Sequence, residues 1–348
     1  MMHGNAVAVS GCKQCHGSVV NFVRDESGNV MKDRNGIVMI DPETWPNTGI
    51  GRVNPDGSLG SCAACHKRHY FSVAQAREPD DCGKCHLGPD HPQYEIYRES
   101  KHGINFIAHK EDMNLALRPW VVGKDYIAAP TCATCHMSAT PNQGVSHDVG
   151  ERISWTLRPA VSERIDASDI KAGKETIPWE KRRENIQDVR FQCHSKQYVQ
   201  NFYKQYDDVV NLYNEKFGKS ATSIYKKLKA VDLITADIEF DDEIEWTYYY
   251  LCRRARMGTA MMGPDFTQWH GMFEVADRFY VEFVPQVKHL IAEGKANGKA
   301  AGAREVEAML NEVSNSDYHK WSVGKMSADE KAARQKAKEE FKKRYAGD

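Results

Sequence analysis

The chain has 348 residues, with 47 Lys and Arg against 48 Asp and Glu and a formal net charge of −1. That balance gives no basic field for nucleic acid or an anionic membrane surface. The mean hydropathy is −0.63, and no run approaches the roughly 18 consecutive apolar residues of a membrane span.

In chain order, the eleven residues before Cys12 have no charged start and no apolar stretch long enough for a signal peptide. Cys12-Lys13-Gln14-Cys15-His16 follows. Next come the turn signals Glu26-Ser27-Gly28-Asn29, Asp33-Arg34-Asn35-Gly36 and Pro55-Asp56-Gly57-Ser58, around the β-type run Ile37-Val38-Met39-Ile40. They predict a small β-hairpin insertion in a loop-rich half. Three more cysteine pairs complete that half: Cys62-Ala63-Ala64-Cys65-His66, Cys82-Gly83-Lys84-Cys85-His86 and Cys132-Ala133-Thr134-Cys135-His136.

From about residue 181 the pattern turns helical. Phe191, Tyr198, Phe202, Tyr206, Val209, Tyr213 and Phe217 recur mostly at three- and four-residue steps, which predicts one long amphipathic helix with an apolar core face. Residues 241–260 and 266–296 read as two more, the second bent at Pro285. Ser327-Ala328-Asp329-Glu330 opens a last, charged helix with a capping box, and Lys331, Arg334, Lys336 and Lys338 read as its solvated face. The expected architecture is mainly α: a loop-rich haem-binding domain over 1–180 and a long-helix bundle over 181–348.

The haem expectation comes from the cysteines. Each Cys-x-x-Cys pair is followed at once by histidine, the attachment motif of c-type haem. Histidine is 14 of 348 residues, so four such hits by chance have odds of roughly 3 in a million. Cys62, Cys65, Cys82 and Cys85 also fit a zinc spacing, but zinc needs no histidine after every second cysteine. The motif histidines His16, His66, His86 and His136 are therefore read as proximal iron ligands. Arg190-Phe191-Gln192-Cys193-His194 is a fifth, degenerate motif, with arginine for the first cysteine. It would attach a haem by Cys193 alone, with His194 on the iron, giving about five covalent haems. Cys193 and Cys252 are the cysteines left over, and a disulfide between them is the alternative in an oxidising compartment.

A haem that only carries electrons has two side-chain ligands, and one that does chemistry keeps a position open. His69, His102, His147 and His270 are the candidate distal ligands. His289 and His319 read as ordinary polar residues, and His3 and His109 are unassigned. Haem attachment outside the bacterial cytoplasm places the chain in the periplasm or an equivalent compartment, such as the anammoxosome lumen. It is read as a mature chain or, given how soon the first motif starts, the back part of a longer exported protein.

Cys82 to His91, Ser100-Lys101-His102-Gly103, Cys132 to His136 and Ser146-His147 together resemble the hydroxylamine oxidoreductase family of multihaem cytochromes. Cys65-His66-Lys67-Arg68-His69-Tyr70-Phe71-Ser72 and Met262-Gly263-Pro264-Asp265-Phe266-Thr267-Gln268-Trp269-His270-Gly271 fit the same pattern. Members carry eight haems, the last five arranged as in pentahaem cytochrome c nitrite reductase; by the resemblance this chain holds those five and lacks the upstream three. The resemblance makes the Cys12/Cys15/His16 haem catalytic and Asp90 and His91 its distal acid–base pair. It implies an inorganic nitrogen substrate, a redox partner cytochrome and a homotrimer or larger complex.

Two departures from the family bear on function. Oxidising members cross-link a tyrosine to the catalytic haem, and Phe266 stands at that position. Without a phenol the chain is expected to work reductively, on nitrite or a related nitrogen oxide. Tyr248, Tyr249, Tyr250 and Tyr280 are the alternative positions for that tyrosine. Hydroxylamine or hydrazine oxidation, and electron transfer alone, are the competing functions. The second departure is Cys252, which stands before Arg253 and Arg254 where a histidine-containing stretch is expected; it reads as a buried, inert thiol, with a thiolate ligand as the alternative.

Overall fold

The computed structural model describes residues 21–32, 39, 41, 62–66, 70–88, 91–171, 176–234 and 251–345. The structure is mainly helical and falls into two compact units. The first comprises Met1–Thr156, Glu163–Tyr206 and Met257–Pro264; the second comprises Leu157–Ser162, Asp207–Arg256 and Asp265–Asp348.

The first unit is assembled from short helices: α1 (Cys62–Cys65), α2 (Val73–Arg77), α3 (Pro79–Gly83), α4 (Gln93–Glu99), α5 (Lys101–Ala108), α6 (Cys132–His136), α7 (Ile165–Lys171) and the longer α8 (Trp179–Phe191). Helices of four to eight residues are not stable by propensity, so side-chain caps and tertiary bonds set their ends. Ser100 both closes α4 and opens α5: its hydroxyl donates to the Tyr97 carbonyl at 2.7 Å and accepts the Gly103 amide at 3.1 Å. Gly103 is required there, because a Cβ would collide with the Tyr97 carbonyl. A buried cluster includes Tyr97, Phe106, Met113, Trp120, Val122, Tyr126 and Val189. Within it Trp120 stacks on Tyr126 at 4.1 Å, and Arg77 lies over the indole at 4.6 Å.

Part of the expected hairpin lies within the described residues. Asp25 accepts the Ser27 and Asn29 amides, each at 2.9 Å, and Arg24 bridges Val30 antiparallel. The other two turn signals, Asp33–Gly36 and Pro55–Ser58, lie outside the described residues.

The predicted long helix is interrupted. After α8 the chain turns at 192–195, and a new helix α9 (Lys196–Tyr213) begins, continuing through a π-helical stretch Asn214–Gly218 into α10 (Lys219–Ala230). The buried face is also rotated from the expected stripe. Val199, Tyr203, Tyr206, Val210, Tyr213 and Phe217 are buried, whereas Phe191 and Tyr198 are exposed. The break resets the helical phase, so one stripe could not run from 191 to 217.

α11 (Leu251–Ala260) precedes a helical run from Pro264 that lies mostly in the second unit. The run comprises α12 (Pro264–Phe266), α13 (Glu274–Asp277) and α14 (Val284–Ala296), joined by π-helical stretches Thr267–Phe273 and Arg278–Phe283. The bend expected at Pro285 is not what interrupts it. The wider π turn just before Pro285 accommodates its missing N–H, and the helix continues. α15 (Ala300–Asn315) and α16 (Ala328–Tyr345) complete the unit. α16 starts with the predicted capping box: Ser327 N–H donates to Glu330 at 2.8 Å, and Glu330 N–H donates to the Ser327 hydroxyl at 3.1 Å. The basic run of α16 is exposed, as expected. The apolar faces of α10, α14 and α15 and the π stretches meet in a core around Ile224, Leu228, Phe279, Phe283, Val287 and Val306.

Candidate functional site

The fourth motif is itself a helix. Thr131 caps α6 reciprocally with Thr134, and the Tyr126 hydroxyl donates to Thr134 at 2.9 Å. His136 follows at the end, with Nδ1 bonded to the Val149 carbonyl at 3.1 Å. That bond fixes the tautomer and leaves Nε2 as the atom available to iron. Enclosure by surrounding protein pulls the His136 pKa down to about 4, so the ring is neutral at physiological pH, the form that ligates a metal. Arg152 is buried beside the motif and donates to the carbonyls of Thr134, Cys135 and Ser138 at 3.4, 3.2 and 2.8 Å.

The second motif repeats the arrangement. His66 Nδ1 is 3.1 Å from the Ser72 carbonyl, and its ring stacks on Phe71 at 4.1 Å. Phe71 takes a left-handed φ of 49° to reach that position, backbone strain of the kind found at functional sites. Burial, then the neighbouring Cys82 and Asp81, push the Cys65 thiol up to about 11. In the third motif the amides of Cys85 and His86 both donate to the Cys82 carbonyl, at 3.1 and 3.0 Å. The thiols of Cys82 and Cys132 are close enough to shift one another's pKa, Cys82 downward and Cys132 upward, so the third and fourth motifs converge. Among the described residues, no three His, Cys, Asp or Glu side chains gather as a site for a metal ion.

The fifth motif closes α8. His194 stacks on Tyr198 at 4.8 Å and lies 6.0 Å from the ring of His102. Two imidazoles sharing one metal ion through bonds of about 2 Å have ring centres roughly 6 Å apart. Anchored Nδ1 atoms, paired cysteines and this facing pair suit haem c as the bound group.

The other candidates are more scattered. Cys12, Cys15, His16, His69, Asp90 and the Cys62 side chain lie outside the described residues. His91 sits in a turn whose Gly88 amide donates to Glu95 at 2.8 Å, and its own amide donates to the Gly88 carbonyl at 3.2 Å. His147 is exposed on the loop after the fourth motif. His270 is on the π stretch after α12, with Nδ1 3.1 Å from Glu274 and its ring 5.1 Å from buried Phe266. Glu274 also holds Arg254 at 2.9 Å. Tyr280, one of the alternative tyrosines, is committed to His319 at 2.8 Å; Tyr248, Tyr249 and Tyr250 lie outside the described residues. The Cys252 side chain also lies outside them. Sequence reasoning missed Ser72, Glu95, Val149 and Arg152. All four act through or upon backbone groups, which carry no motif.

The fold and these motifs define a mainly helical multihaem c-type cytochrome. Residues 56–237, just over half of the chain, match the family described as "Seven times multi-haem cytochrome CxxCH", and the chain belongs to it. Residues 1–87 also match the family of cytochrome c7 and related cytochrome c. Over 136 residues the chain is 47% identical to a Kuenenia stuttgartiensis protein described as "Probable nitrite reductase-hydroxylamine oxidoreductase fusion protein". That segment covers 35% of this chain and only 15% of the relative. Among solved structures, a hypothetical multiheme protein matches with a TM-score of 0.63 and 26% identity, over 85% of this chain and 70% of that one. A reducing HAO-like protein complex of Kuenenia stuttgartiensis matches with a TM-score of 0.52 over 72% of this chain and 62% of that one; at 20% identity the likeness is one of fold.

Proposed function

We propose that the chain is a haem-dependent oxidoreductase of inorganic nitrogen compounds that works reductively on nitrite or a related nitrogen oxide. The observation that carries the direction is Phe266: it is buried, and it has no phenol for the cross-link that the oxidising members of the resembled family carry. The name of the 47%-identical relative supports the substrate class.

Covalent haems, about five in number, supply electron transfer and one open iron position. Cys12 and Cys15, Cys62 and Cys65, Cys82 and Cys85, and Cys132 and Cys135 hold four of them, and Cys193 a fifth. His16, His66, His86, His136 and His194 are the proximal ligands. His69, His102, His147 and His270 are the distal candidates, and the position beyond His16 stays open. Reduction of nitrite to nitric oxide takes up two protons and one electron and releases water. A histidine oriented by a carboxylate suits that proton delivery, and Asp90 and His91 are assigned to it. A small redox cytochrome as electron donor, a homotrimeric or larger assembly and an extracytoplasmic location complete the proposal. No described helix is long and apolar enough to cross a membrane.

The test is nitrite consumption by the purified holoprotein with a reduced dye as donor, following nitric oxide, hydroxylamine and ammonium. Turnover is expected, and it falls about 100-fold or more in His91→Ala if His91 delivers protons. Oxidation of hydroxylamine or hydrazine without nitrite turnover would reverse the direction. Failure of every ferrous haem to bind carbon monoxide would leave electron transfer alone.

A further inference from the structure

Arg190 replaces a cysteine by identity, yet the backbone around it keeps the form of an intact motif. The amides of Cys193 and His194 both donate to the Arg190 carbonyl, at 3.1 and 2.8 Å. The amides of Cys85 and His86 meet the Cys82 carbonyl in the same way, at 3.1 and 3.0 Å. The fifth site therefore retains the turn that presents a cysteine and a histidine to one face of a haem. A second imidazole is in place as well: His102, at the start of α5, stands 6.0 Å from His194. That is the separation of about 6 Å expected for two rings on opposite sides of one metal.

The arginine itself is poised for an anionic group. Its guanidinium lies 4.0 Å over Phe202 and 4.9 Å over Tyr203. Its Nη1 is buried without a hydrogen-bond partner. A buried cationic donor costs stability unless it meets an acceptor.

We propose that the fifth motif holds a haem c by one thioether, at Cys193, with His194 and His102 as its two axial ligands. The Cys193 S–H adds across one vinyl group: sulfur bonds to the carbon next to the ring, and hydrogen goes to the terminal carbon. No electrons are gained or lost. The other vinyl group stays unsaturated because Arg190 has no thiol to offer. This deepens the five-haem reading and is independent of the nitrogen substrate.

The readouts are mass and absorption of the full-length holoprotein. After denaturation the chain is expected to carry five haems. Its pyridine haemochrome band should lie at longer wavelength than that of a fully double-linked set, by one haem's share. Arg190→Cys should keep the mass count of haems and abolish that shift, whereas Cys193→Ala should lose one covalent haem. His102→Ala should keep all the covalent haems but convert one from low-spin to high-spin. A wild-type mass of four haems, or five with an unshifted band, overturns the single thioether; an unchanged spin state in His102→Ala overturns the ligand pair. Five covalent haems with the shifted band but no nitrite turnover would support this inference while removing only the substrate proposal.

Discussion

The two units of this molecule are held together by different means. In the second, helices of 12 to 16 residues, α10, α14 and α15, contribute to a described cluster of seventeen buried side chains. In the first, α1 to α6 run four to eight residues each, and the described cluster holds nine. Polar devices do more of the organising there. Ser100 joins two helices, Thr131 and Thr134 cap a third, and Arg152 gathers three carbonyls. Among the described residues the apolar cluster of the first unit is the smaller of the two, and haem attached through its cysteines would add apolar mass there. The first unit is thus organised around its prosthetic groups and the second around its own side chains.

The largest effect should come from removing one of those groups. Cys132→Ser/Cys135→Ser is expected to lower the covalent haem count by one and to cost more than about 4 kcal/mol, the range of a lost metal or core anchor. Limited proteolysis should then cut within 91–156 while 207–234 and 265–345 stay protected. Equal loss of protection in both regions would show that both units depend on that haem alike.

Phe279→Ala makes the opposite test. Phe279 is 5% exposed and packs on Phe217, Phe283 and His319 at 5.4, 5.6 and 4.9 Å. The substitution should cost about 3–5 kcal/mol, read as a lower thermal midpoint, with the haem absorption spectrum of the folded protein unchanged. A changed spectrum at low temperature would show that haem environments depend on this core.

Gly103→Ala probes the first unit more gently. The new methyl group meets the Tyr97 carbonyl, so the start of α5 must move, at a cost of about 1–3 kcal/mol. His102 moves with it. Loss of low-spin character at a single haem is expected, and magnetic circular dichroism would detect it.

The sequence carried a good deal of this, and the omissions have physical causes. The haem motifs, the Asp25 turn, the capping box of α16 and the helical second half all rest on side chains with local signatures. The break at 192–195 contains neither glycine nor proline, and the aromatic repeat across it hid the change of helical phase. The π stretches before Glu274 and Val284 leave no mark in a three- and four-residue periodicity. The histidine anchors are the carbonyls of Ser72 and Val149, and a carbonyl is common to every residue. Arg152 lies 14 to 18 residues from the three carbonyls it gathers, so only packing reveals it.

The smallest effect should be the pH response of the second unit, set by His319. This ring is 1% exposed. Its Nε2 is 2.7 Å from the Lys216 carbonyl, and its Nδ1 is 2.8 Å from the Tyr280 hydroxyl. A neutral ring satisfies both contacts, with Nε2–H donating to the carbonyl and Nδ1 accepting from the tyrosine. Protonation would make both nitrogens donors and charge a buried group. Burial accordingly holds the His319 pKa below its ordinary 6.5; the Lys216 carbonyl opposes the shift, and the Lys216 ammonium adds to it. Because the folded value is the lower one, the unfolded chain binds more protons once the pH drops. The stabilisation is complete above 6.5 and is lost as the pH falls from there through the lower folded value. One proton limits the slope to about 1.4 kcal/mol per pH unit. Thermal midpoints from about pH 7.5 to about pH 5 should therefore decline less steeply in His319→Gln, which keeps a donor and an acceptor but cannot titrate. An identical decline in both proteins would assign the acid sensitivity to other groups and leave the helical unit without a pH-dependent anchor at His319.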